Sequence, residues 1–120
     1  MSFLLIYKSD ETPFEPFPFK KLLESSDQTS QISESAMPGA LISAHFSSRS
    51  DSVIVELKED KLAIVISSPS PAGLDFALLL QMNTFEPLRI VDEAYTFDLN
   101  LQDYQSADAL DAAIKSTLVD

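Results

Sequence analysis

The stretch SVIVELKEDKLAIVIS, residues 52–67, decides how this chain folds. Val53, Val55 and Leu57 alternate with Ile54, Glu56 and Lys58; Leu62, Ile64 and Ile66 alternate with Ala63 and Val65. A period of two marks strands, because successive side chains point to opposite faces. With Glu59-Asp60 as a two-residue loop, Leu57 opposes Leu62, Val55 opposes Ile64 and Val53 opposes Ile66. All six then share one face, so pattern and turn agree on a hairpin register. The pair Glu-Asp lacks the glycine that such loops favour.

Working upstream, Ile42, Ala44 and Phe46 alternate with Leu41, Ser43 and His45, which adds a strand before a polar turn at 47–51. Residues 25–38 form a Ser-rich stretch closed by Met37-Pro38-Gly39 and are expected to be a flexible loop. Before it, Phe19, Leu22 and Leu23 share one helical face, giving a short helix over 19–25. Pro13, Pro16 and Pro18 predict an extended path ahead of that helix. The apolar run Phe3 to Tyr7 reads as a further strand.

Downstream, Ser70 is a candidate N-cap with Pro71 at the first helical position, and the helix runs to about Met82. Leu74, Phe76, Ala77, Leu78, Leu79, Leu80 and Met82 make it apolar nearly all round, so it needs cover on more than one side. Leu88 and Ile90 then match Tyr95, Phe97 and Leu99 in a second hairpin with Asp92-Glu93 as its loop. Ser106 caps a closing helix with Leu110, Ala113 and Ile114 in one stripe. The order (β)αβββαββα predicts a single α+β domain over 1–120: an antiparallel sheet of about five to six strands with helices on one side.

Composition narrows the function. The chain has 19 acidic residues against 8 Lys plus Arg, a net charge of −11, no Cys and one His. Such a surface repels nucleic acid and anionic lipid and attracts basic proteins. Without Cys there is neither a disulfide nor a thiolate metal site, and one His does not make a zinc centre. No Gly-x-Ser-x-Gly motif and no Gly-rich phosphate loop is present. No catalytic residue, cofactor or metal ligand is expected. The run Phe3 to Tyr7 is too short to span a membrane and lacks a basic signal-peptide start, so the expected location is the cytoplasm.

Three surfaces are candidates for binding a protein. The outer face of the three strands over 40–66 gathers Leu41, Ile54 and Val65. The proline-stiffened PFEPFPF segment offers Phe14 and Phe17 as aromatic anchors. Asp92, Glu93 and Asp98 begin an acidic stretch that runs on through Asp103 and Asp108 to Asp111. Each has a plainer alternative: cover by another element, packing onto the chain's own sheet, or a solvated acidic face.

From Phe19 onward the element order resembles that of the small acidic class I chaperones of bacterial type III secretion. The local match lies in LDFALLLQMNTFEP (74–87), the hairpin LRIVDEAYTFDLNL and the closing SADALDAAIKSTL. The resemblance implies a homodimer built on the leucine-rich helix and the hairpin after it, here Leu74, Leu78 and Met82 with Leu88 and Ile90. It also implies an effector segment held in extended form, with no cofactor and no catalysis. The strand before the first helix and the prolines ahead of it depart from that family. The second reading is an immunity protein, which neutralises a toxic bacterial enzyme, such as a basic nuclease, by covering its active site.

Overall fold

Alternating strands need one apolar layer against them, and this chain supplies it from three helices. The computed structural model describes residues 3–34, 39–48 and 50–118. The strands are β1 (Leu4–Lys8), β2 (Thr29–Glu34), β3 (Ala40–Ser48), β4 (Asp51–Lys58), β5 (Ile64–Ile66), β6 (Leu88–Asp92) and β7 (Asp98–Asn100). The helices are α1 (Pro16–Ser25), α2 (Pro71–Met82) and α3 (Ala107–Leu118), with a 3-10 turn over Leu101–Asp103. All seven strands form one antiparallel sheet in the order β2-β3-β4-β5-β1-β6-β7. The expected α+β class is what the chain adopts, with seven strands rather than five or six and four rather than three between α1 and α2.

The strand β1 lies inside the sheet, paired with β5 on one side and β6 on the other. Its alternate residues Leu4 and Ile6 join Val55, Leu57, Ile64, Ile66, Leu88 and Ile90 at 0% exposure. The helical layer lies on this side. α2 packs on β3 and β4 and is covered in turn by α3. Phe76 of α2 meets Phe46 of β3 and Phe19 of α1 edge to face, at centroid distances of 5.1 and 6.4 Å. The second cover demanded by the all-round apolar helix therefore comes from within the chain. Gly73 lets α2 approach the sheet, because a Cβ there would lie 2.2 Å from the Ser68 carbonyl oxygen.

Helix boundaries follow local chemistry with two corrections. α1 starts at Pro16, not Phe19, because Pro16 and Pro18 both fall in its first turn, where no intrahelical N–H bond is lost. α2 has the expected start at Pro71, but the Ser70 side chain makes no capping bond. Nearby, Ser70 and the backbone amides of Ser52 and Ala72 hold the Asp51 carboxyl below the usual aspartate range. At α3 the Ser106 hydroxyl oxygen accepts from the Ala109 N–H at 3.1 Å, as an N-cap should.

Three loops and strands also differ from expectation. Residues 29–34, expected as loop, form the edge strand β2, while residues 35–38 of the same stretch lie outside the described residues. β2 is polar, bulged between Ser30 and Ser33, and has Gln31 at φ 54°, features that blunt an edge against pairing with another chain. In the first hairpin Leu57 opposes Ile64 and Val55 opposes Ile66, a slip of two residues that keeps the paired side chains on their faces. Without glycine, the loop widens to place Lys61 at φ 64°, its N–H donating to the Lys58 carbonyl, and Leu62 leaves the core at 45% exposure. The second hairpin widens likewise: Ile90 opposes Leu99, and Tyr95 sits in the loop at φ 55° and 68% exposed.

Candidate functional site

One face of the sheet carries α1, α2 and α3, and the other carries none of them. The strand registers lay out that uncovered face row by row. Ser43, Glu56, Val65, Leu5, Val91 and Asp98 follow one another across β3, β4, β5, β1, β6 and β7. His45 and Ile54 form the adjacent row. Leu5, Tyr7, Ile54 and Val65 are half-buried, whereas Val91, between Leu5 and Asp98, is fully buried. The face is thus apolar at its centre with charged side chains interspersed.

Towards β7 its polar groups are fixed. The Arg89 Nε donates to Asp98 Oδ1 at 2.6 Å, and the Tyr7 hydroxyl donates to Asp98 Oδ2 at 3.2 Å. Partial burial raises the Tyr7 hydroxyl's pKa, and the Asp98 charge raises it further. Asp98 is therefore a positioning group within the sheet rather than a free acidic anchor.

The remaining candidates are dispersed. Ile54 and Val65 lie on the uncovered face, but Leu41 packs against the core, where a bulge between Ala40 and Ile42 redirects the strand. Phe14 is also a core residue, under the Lys8 ammonium at 5.5 Å, so it is not a free anchor. Lys8 extends to Glu86 Oε1 at 3.3 Å. Phe17 is exposed, with the Lys21 ammonium 5.4 Å from its ring. Asp92 is engaged in its own loop, where it accepts from the Thr96 N–H and hydroxyl, and Glu93 is exposed beside it. Asp111 pairs with Lys115 on α3 at 2.9 Å.

The residues implied for a dimer do not form one surface. Leu74, Leu88 and Ile90 are sealed in the core at 1%, 0% and 0% exposure, because α3 and the sheet cover α2. Of that set Leu78 is half-buried and Met82 is exposed. His45 is half-buried on β3, across from Ile54 and Ser30. Among the described residues no group of three His, Cys, Asp or Glu side chains is placed to hold a metal ion. No helix among them is long and apolar enough to cross a membrane.

Sequence reasoning missed the recess at one end of the uncovered face, lined by Leu5, Tyr7, Glu11, Leu62, Ala63 and Tyr95. Its signal was present in two hairpin loops without glycine, whose wider turns expel Leu62 and Tyr95 from the core. The chain matches no known family model, no curated protein and no solved structure.

Proposed function

We propose that this protein works by binding another polypeptide against the uncovered face of its sheet, in the cytoplasm, without catalysing a reaction. The observation that carries the reading is the half-buried row of Val65 and Leu5 with Ile54 beside it, on a seven-stranded sheet whose helices all lie on the opposite side. Exposed apolar surface rimmed by polar groups is characteristic of protein interaction sites. In its narrower form the reading follows the resemblance to secretion chaperones: an extended partner segment laid across the strands. The homodimer implied by that resemblance would be restricted on α2 to Leu78 and Met82, since its other three residues are internal.

The charge of −11 favours a second form, in which the partner is a folded basic protein covered as an immunity protein covers a toxin. One experiment tests the reading and separates the forms. The partner that copurifies from the native cells is identified, the complex is re-formed from purified components, and its affinity is measured at several salt concentrations. Ile54→Asp and Val65→Asp should each weaken binding by about tenfold or more, with the fold retained. Steep loss of affinity with salt identifies the folded basic partner; a shallow dependence identifies the extended segment. Unchanged affinity in both variants would overturn the assignment.

A further inference from the structure

Three turns converge on the recess at the end of the uncovered face. Each closes with the same device, an N–H donating to the carbonyl three residues earlier: Glu11 to Lys8, Lys61 to Lys58 and Tyr95 to Asp92. Each closing residue has a left-handed backbone, at φ 60°, 64° and 55°, without being glycine. For a residue as bulky as Tyr95 that conformation is unusual, and such residues concentrate at binding sites. Together the turns bring Tyr95, Leu62 and Glu11 beside Tyr7, Leu5 and Ala63, lining an open recess of about 410 Å³.

The chemistry of this recess is specific. Its floor is apolar, from Leu5 and Ala63, and two tyrosines contribute aromatic surface. Tyr7 is already oriented by its bond to Asp98, and Asp98 is occupied by Arg89. The Glu11 carboxylate is exposed and makes no ion pair or side-chain hydrogen bond among the described residues. Apolar wall, aromatic faces and an available carboxylate match an arginine. Its stem packs on apolar surface, its guanidinium stacks on aromatic rings, and its N–H fork engages a carboxylate. Net charge −11 supplies the long-range attraction that brings a basic partner to this anion.

The geometry points to a cation-anchoring pocket: the Leu5–Tyr7–Glu11–Leu62–Tyr95 recess takes an arginine side chain of a basic protein partner. The inference rests on the protein-binding reading and names the anchor within it.

The test uses the full chain and two synthetic peptides, one of alternating glycine and arginine and one of alternating glycine and citrulline, which keeps the shape and removes the charge. Binding is followed by NMR. The arginine peptide should shift the resonances of Leu5, Tyr7, Leu62 and Tyr95 first, and the citrulline peptide should bind at least about fivefold more weakly. Glu11→Gln and Tyr95→Ala, both at exposed loop positions, should each weaken the arginine peptide by about fivefold. Asp103→Asn, an exposed acid in the helical layer, should change it by less than about twofold. Equal binding of both peptides would overturn the pocket. So would equal losses in Glu11→Gln and Asp103→Asn, since the peptide would then be following net charge alone. Either result leaves the Ile54 and Val65 measurements on the natural partner untouched, so failure of the pocket and failure of the broader reading are separate outcomes.

Discussion

The two faces of this sheet are built from the same strands and differ in how deeply their side chains are buried. On β1, Leu4 and Ile6 are sealed at 0% exposure, while Leu5 and Tyr7 between them are only half-buried. On β4, Val53, Val55 and Leu57 are sealed, while Ile54 and Glu56 are not. The covered side is held by ring contacts and close packing under α2. The uncovered side is held by its strand neighbours and by the Tyr7–Asp98–Arg89 cluster. Apolar residues occur on both sides, so apolarity does not separate them. What separates them is which face the helical layer lies on, and that leaves the other face available for a partner.

The comparison breaks first at its strongest point. Phe76 is fully buried between Phe46 and Phe19. Phe76→Ala removes both ring contacts and opens a cavity between helix and sheet, with an expected cost of about 3–5 kcal/mol in denaturant unfolding. A loss below about 1 kcal/mol would mean that the covered side is not the tightly packed one.

A smaller effect is expected where α2 hands over to β6. Gln81 Oε1 accepts from the buried Leu88 N–H at 2.8 Å, and its Nε2 donates to the Thr84 and Glu86 carbonyls at 3.3 and 3.1 Å. One side chain thus replaces backbone pairing across the turn. Gln81→Leu leaves the Leu88 N–H unpaired in the core, at about 1–3 kcal/mol. Amide exchange at Leu88 should accelerate in the same variant.

Much of the covered side was legible in sequence, because strand periodicity and helix starts are local. Ser70-Pro71 marked the start of α2, Ser106 marked α3, and alternation from Val53 to Ile66 assigned every residue but Leu62 to its face even where the register slipped by two. That tolerance is physical: a shift of two residues preserves sidedness. Three things were not legible. β2 carries the polar sequence TSQISE, because an edge strand has little to bury and much to gain from being unattractive to other strands. The all-round apolar α2 announced a need for cover without saying that α3, rather than a second copy, supplies it. The recess is formed by Glu11, Leu62 and Tyr95 from three separate turns; the missing glycines mark two of those loops as wide, but no spacing in the chain brings the three together.

Asp51 sharpens the comparison at the rim of the covered side. Its carboxyl is held low by Ser70 and the amides of Ser52 and Ala72. A carboxyl whose folded pKa lies below its ordinary value of 3.8 stabilises the fold fully above that value. The contribution fades as pH falls through the folded pKa, since the proton then binds both states. Asp51→Asn should therefore melt lower than the parent near neutrality, and the gap should close as the pH falls below 3.8 and through the lower folded pKa. A gap independent of pH would assign the effect to packing rather than charge.

The smallest stability effect belongs to the uncovered face. Ile54→Thr and Val65→Thr keep β-branching and strand propensity, and each places a hydroxyl where water already reaches. Each should shift unfolding by no more than about 0.5 kcal/mol, an effect near the limit of a thermal melt. The same two substitutions should be felt in partner affinity, because apolar area there is buried only on association. Losing stability on the scale of Phe76→Ala would mean that these residues already serve the core. Losing neither stability nor affinity would mean that the half-buried row of Ile54, Val65 and Leu5 serves no contact at all. Only loss of binding with the fold intact is what a sheet covered on one side and reserved on the other requires.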